Sequence, residues 1–377
     1  MSLPANTSRR ADIDWIRVAA FGLLIVYHVG LVYAPWDWHV HSRHVFEPLR
    51  YLVLASNPWR LTLLFLVSGV ALRFMSRRHM PLEVARVRMA RLVPPFLFGV
   101  LVLVPPQSWL EAMDKGTWSQ GFGAWWISEF SPAGLADGIP LNHLWFVLYI
   151  GLYSLIVVAI CAWPLALSVL EDGFARCLSG WGMLVWPVLY LFAARQLWFA
   201  SYGISNHLET DWYNHAMSFG VFILGFLMAL RDAFWQRLEK LRWALLGLAM
   251  IALAALITLE VTSPDLADNA LAKNAMFALD QWCMLGAVLG FGSRHLRASD
   301  GPWLRYLTDA VFPCYLAHQT ILVAAIFILK FQGIPPIWEA ILLLVITLGG
   351  SLLVYEIVRR IVPIRPFWGL KPQRGAS

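Results

Sequence analysis

Ten apolar stretches, each near the length needed to cross a bilayer, follow one another with short polar segments between them. They lie near residues 14–34, 60–75, 92–109, 143–163, 181–200, 216–230, 243–260, 273–292, 310–330 and 337–358. About 20 apolar residues wind into a helix as long as the hydrocarbon core is thick, and lipid cannot satisfy an open backbone. Such a pattern over 377 residues leaves room for one helical membrane domain and little else. Composition agrees, since 59% of the residues are hydrophobic and 14% charged, against roughly half and a quarter in soluble chains. The predicted fold class is all-α: a polytopic transmembrane bundle of about ten helices, residues 1–377 forming one domain with 366–377 as a short cytoplasmic tail. The 60–75 and 216–230 segments are short enough to tilt or re-enter, and Pro187 and Pro313 are placed to kink or cap their helices.

The net charge is +6, yet the basic residues are spread over many short connections, which argues for topology and against a nucleic-acid partner. With a cytoplasmic N-terminus, only Arg43, Arg50, Arg60, Lys115 and Lys273 of the 29 lysines and arginines fall in outward connections, while Arg195 and Lys330 fall within spans. The positive-inside bias therefore predicts both termini in the cytoplasm. Arg9 and Arg10 before an apolar run look like a signal peptide, but there is no small-residue cleavage site, so a retained first span is expected. Cys161, Cys177, Cys283 and Cys314 show no CxxC or Cys/His pairing, and neither a disulfide nor a metal site is expected. Gly286 and Gly290 form a GxxxG, whose default meaning is close helix packing.

The chemistry-bearing feature is Arg17 and His28 within the first span. Eleven residues along a helix advance about 20° beyond three full turns and rise about 16.5 Å, so the two lie on one face, one above the other. Intramembrane ionisable groups are expensive and usually face a cavity or a partner. An anion held at Arg17 in the cytoplasmic mouth would place the end of a long arm at His28, a geometry that suits an acyl-CoA. Arg17, Arg88 and Arg91 would receive its phosphates, because guanidinium groups bind phosphate bidentately. His28 would be the general base toward a hydroxyl arriving from the outer face. The plainer alternatives are a histidine bonded to a neighbouring helix and an arginine that snorkels. Outside the first span, residues 35–59 are rich in Trp and His. Most tryptophans there read as an interfacial belt, but Trp36 and Trp38 flank Asp37 and precede His39, a pattern that suits a sugar ring.

The chain resembles membrane acyltransferase family 3 over nearly its whole length. Arg17 and His28 inside IDWIRVAAFGLLIVYH match that family's R-x10-H pattern. LFLVSG at 64–69, VRMARLVPP at 87–95, NHLWFV at 142–147 and CYLAHQTIL at 314–322 are similar to its further elements, in order. GLVYAPWDWHVHS at 30–42 and VYEIVRRIVPI at 354–364, followed by GLKP at 369–372, resemble a subgroup that acts on osmoregulated periplasmic glucans. The resemblance implies a multi-pass protein of a bacterial inner membrane that moves an acyl group, succinyl before acetyl, from cytoplasmic acyl-CoA to a glucan hydroxyl. Succinyl-CoA or acetyl-CoA would be a donor substrate, no permanently bound cofactor is expected, and a second copy of the chain stays open as a partner beside membrane lipids. It implies His28 as catalytic base and places Arg17, Ser68, Arg88, Arg91, Tyr315 and His318 on the donor side. Asp37, Trp38, His39, His143 and Trp145 fall on the acceptor side. Ser68 and Gly69 line a tunnel or permit close packing. A succinyl carboxylate would need a cation, for which His39, Arg43, Arg60 and Arg195 are candidates. The alternative function is a transporter exporting carbohydrate or an acidic metabolite, against which no repeated half and no paired broken helices are found.

Overall fold

The computed structural model describes residues 10–136, 138–263 and 270–371. Among them the protein is helical, without strands. Ten helices of 17 residues or more build it: α1 (Ala11–Tyr33), α2 (Arg60–Ser76), α3 (Pro81–Asp114), α4 (Asn142–Cys161), α5 (Gly182–Tyr202), α6 (Trp212–Met228), α7 (Asp232–Thr262), α8 (Leu271–Leu296), α9 (Pro302–Leu329) and α10 (Pro336–Val358).

Eight of these are long and apolar enough to cross a membrane; α2 and α6 fall short at 17 residues each. Of the expected spans, about ten, eight thus meet the length and hydropathy of a crossing helix, and the other two are helices of about 25 Å. Neither short helix re-enters. Arg60, Leu61 and Leu64 of α2 border a cavity at one face, while its Ala71, Phe74 and Met75 border a second cavity at the other. The residues just before α6 reach the first cavity and those just after it the second.

The two short helices cross each other at glycine. A Cβ on Gly69 would come within 2.0 Å of the Phe222 carbonyl oxygen, and one on Gly225 within 2.2 Å of the Leu66 carbonyl oxygen. Ser68 beside it donates to the Leu64 carbonyl of its own helix, 2.8 Å, and lines neither cavity. The tunnel role expected for this pair gives way to helix packing. Gly290 does the same between α7 and α8, where a Cβ would meet the Leu238 carbonyl oxygen at 2.4 Å.

α1 sits inside the bundle, packed against α2, α8, α9 and α10. Its start is fixed by Arg10, whose guanidinium lies 4.0 Å over the Trp235 ring and pairs with Asp12 at 2.5 Å. Asp12 and Asp14 in the first turn also suit the positive end of the helix dipole. α3 is interrupted by a π-helical stretch, Gly99–Leu103, ahead of Pro105 and Pro106. Pro105 has no N–H for the Leu101 carbonyl, which the Trp126 indole takes instead, 2.9 Å. Thr320 of α9 donates to Leu103 O, 2.8 Å, tying the two helices at that level. Pro187 and Pro313 lie inside α5 and α9 and cap nothing. The expected tail at 366–377 starts within a 3-10 helix, Val362–Trp368, that docks on α3, with Arg91 Nε donating to Gly369 O at 3.2 Å; residues 372–377 lie outside the described residues.

Candidate active site

The site begins where α1 stops. Pro35 disfavours helical backbone before it, and Ala34 is extended (φ −83°, ψ 154°). The chain then folds back. Ser42 N–H donates to Val32 O at 3.0 Å, and the Ser42 and Tyr33 hydroxyls both donate to Glu339 of α10, at 2.6 and 2.9 Å. This return lays the Trp38 ring on His28, centroids 4.9 Å apart. His39 is held from two sides, by the Glu111 carboxylate at Nδ1 and by Gln319 donating to Nε2 at 2.7 Å.

His28 meets a second histidine from the far end of the chain. Its Nδ1 lies 3.2 Å from His318 Nε2, the rings stacked at 5.2 Å with 6° between their planes. His318 also bonds the Tyr315 carbonyl through Nδ1, 2.5 Å. A carbonyl only accepts, so a neutral His318 carries its proton on Nδ1 and offers a lone pair at Nε2. His28 must then donate from Nδ1, which leaves the lone pair of its Nε2 free to act as a base. Two fixed hydrogen bonds thus select the tautomer.

His143, at the start of α4, stands edge-on to His318 at 5.3 Å. Its Nε2 bonds the Leu316 carbonyl at 3.2 Å, while its Nδ1 is buried without a partner. Tyr315 donates its hydroxyl to the backbone carbonyl of His143. His28, Trp38, His39, His143, Trp145 and Tyr315 all border one cavity of about 520 Å³. Three further orphans belong to its walls: Trp38 Nε1 and Arg60 Nε, both donors, and Asn206 Oδ1, an acceptor, are buried with no partner among the described residues. Buried polar groups are nearly always bonded, so four exceptions around one cavity mark a place where a ligand supplies the partners. Glu129, Asn142, Ser205, Asn206 and His207 border it as well. Partial burial pushes the Glu129 carboxyl above its ordinary range.

The second cavity, about 910 Å³, lies at the other end of α1. Arg10, Arg17, Arg77, Arg78, His79, Arg91, Arg297 and Lys371 border it, beside Asp14 and Asp232. Arg17 is 3.7 Å from Asp14. Arg88 does not border it and bonds the Ser154 hydroxyl of α4 at 3.2 Å instead. Between the cavities, Phe21 and Leu24 occupy the same face of α1 as Arg17 and His28; Phe21 touches the His318 ring edge-on at 5.7 Å, and Leu24 borders the smaller cavity.

The sequence-predicted residues therefore divide differently from expectation. Tyr315 and His318, placed on the donor side by resemblance, stand with His28 at the smaller cavity. Asp37 points away, its side chain 97% exposed and 3.9 Å from Lys115. Sequence reasoning missed Glu111 and Gln319, which hold His39, and gave Arg60 no more weight than three other cations. The acid four residues before Lys115 and the polar run His318-Gln319 in an apolar helix were the available signals.

A family described as an acyltransferase domain matches residues 10–356. The chain belongs to that family. The chain is similar to glucans biosynthesis protein C of Shigella dysenteriae serotype 1 (strain Sd197), 26% identical over 163 residues, 42% of this chain and 40% of that one. The protein of the same name from Escherichia coli O1:K1 / APEC matches to the same extent. The matched segment thus spans about two fifths of the length of these curated relatives. No solved structure matches. The protein is a multi-pass membrane member of the acyltransferase family.

Proposed function

We propose that the protein transfers an acyl group, succinyl in first place, from acyl-CoA bound at the basic cavity to a hydroxyl of periplasmic glucan at the histidine cavity. The observation that carries this reading is the pair of cavities at the two ends of one α1 face, Arg17 at the first and His28 at the second. The bias of basic residues supports a cytoplasmic position for the larger cavity, and its guanidinium groups suit the nucleotide phosphates. The pantetheine arm then runs along the Phe21 and Leu24 face toward His28.

At the smaller cavity His28 Nε2 takes the proton of the acceptor hydroxyl, and the oxygen attacks the thioester carbonyl. The Trp38 N–H stands ready as an unspent donor for the oxyanion that develops. When the carbon–sulfur bond breaks, the proton held by His28 passes to the departing thiolate, so an ester and free CoA thiol leave and the histidine returns to its starting state. His318 holds the His28 tautomer that this requires. His143 Nδ1 accepts from a second hydroxyl, and Asn142, Ser205, Asn206 and Glu129 offer further bonds to a sugar. The flat Trp38 ring beside them suits the apolar face of a pyranose. Purified protein given succinyl-CoA or acetyl-CoA and a glucan panel should yield an acylated glucan by mass spectrometry. No acylated product from any combination would sink the reading.

A further inference from the structure

Arg60 opens α2 and is 2% exposed. Its guanidinium lies 3.2 Å above the Tyr27 ring, its Nη1 donates to the Ser56 hydroxyl at 3.4 Å, the Tyr27 side chain also takes a hydrogen bond from it, and its Nε has no partner. Among the described residues no carboxylate pairs with it. Glu129 is the sole acid that borders the cavity, and Arg60 the sole lysine or arginine. A guanidinium taken out of water at this depth is costly unless a counter-charge offsets the loss of hydration. The Tyr27 side chain and the Ser56 hydroxyl are neutral and return only part of it.

We infer that Arg60 receives the free carboxylate of the transferred acyl group, so that the enzyme selects half-thioesters of dicarboxylic acids over neutral acyl groups. The inference rests on the acyl-transfer reading above and names the substrate class that the histidine cavity accepts. Its geometry follows from the order of entry. The thioester end of such a donor trails, because it is joined to CoA at the basic mouth, and the carboxylate leads. The receiving cation must therefore stand beside the base and away from that mouth, and Arg60 covers the ring of Tyr27, the neighbour of His28 in α1. The other cations cannot serve. His39 is committed to Glu111 and Gln319. Arg43 lies exposed 4.8 Å over the Phe331 ring. Arg195 is bonded to Asn274 and Tyr213 and sandwiched by Phe199 and Phe277, outside the cavity. The carboxylate is not consumed and leaves on the product as a new negative charge on the sugar.

The test compares donors on the purified full-length protein: succinyl-CoA, its neutral amide succinamyl-CoA, and butyryl-CoA. A charge-assisted contact at a buried site predicts that kcat/KM for succinyl exceeds that for either neutral donor by about 10–100-fold. In Arg60→Met this ratio should fall toward one, and Arg60→Lys should retain part of it. Equal use of the acid and its amide by the unaltered protein overturns the proposal whatever the variants do, since that comparison needs no substitution to fold. Arg60→Met lowering all three donors in proportion also overturns it, and would assign Arg60 to the oxyanion or to packing. No transfer from any donor overturns the acyl-transfer reading and this inference together.

Discussion

The two cavities at the ends of the Arg17–His28 face hold their polar groups in opposite ways. At the larger one the ions are met by neighbours: Arg10 by Asp12, Arg17 by Asp14, Arg297 by Asp232 at 3.4 Å. Arg10 and Asp12 are buried, but the Arg17 and Arg297 pairs keep contact with water, and exposed pairs of this kind exchange partners at little cost. At the smaller one Trp38 Nε1, Arg60 Nε and His143 Nδ1 are buried and unmet. A mouth that trades weak pairs tolerates many phosphate-bearing ligands, whereas a chamber with unmet groups favours the ligand that meets all of them. Selectivity should therefore reside with the histidines and affinity for CoA with the arginines. Substitutions at the two ends should separate kcat from KM accordingly.

The largest effect is expected at His28. Removing a general base typically costs about 10²–10⁴-fold in rate, so His28→Ala should lose that much kcat with little change in donor KM. A variant that kept more than a tenth of the rate would assign the base elsewhere, His143 first. Trp38→Phe keeps the ring against His28 and deletes the unmet N–H. Loss of one oxyanion donor predicts a fall of about 10²-fold in kcat at unchanged donor KM, measured by steady-state turnover. A rise in glucan KM alone would instead limit Trp38 to stacking the sugar.

His318→Ala should act more mildly, since it removes a positioning bond worth about 2–10-fold. The informative comparison is His318→Gln, whose amide oxygen can still accept from His28 Nδ1. Recovery of kcat by Gln over Ala supports the tautomer argument, and equal loss in both reduces His318 to core packing.

The contrast between the ends also explains what could be read from sequence. Arg17 and His28 share a face because the helical period fixes it, and Pro35 ends α1 for a reason visible in the next residue. His318 stands 290 positions from His28, and no local pattern announces that they pair; family likeness placed it on the donor side, and tertiary packing puts it with the base. Arg60 was counted among outward cations, but charge counting carries no depth, and the residue lies at a cavity wall 2% exposed. Ser68-Gly69 suited a tunnel as well as a crossing. Only the approach of the Phe222 carbonyl to Gly69 decides for the crossing.

The smallest effect should be found at the mouth. Arg17 is partly exposed and shares its charge with Asp14, so its pull on a phosphate is screened by water and salt. Arg17→Ala should raise the KM for the CoA thioester by about 2–5-fold and leave kcat nearly as it was. Raising ionic strength should increase the KM of the unaltered protein more than that of the variant, because only the former has this contact to screen. A variant that instead loses kcat at constant KM would show that Arg17 acts on the reacting end of the donor. The division between an affinity end and a selective end would then fail, because the rise along α1 separates Arg17 from His28 by about 16.5 Å, and the charge could reach the chemistry only through the residues packed between them, Phe21 and Leu24.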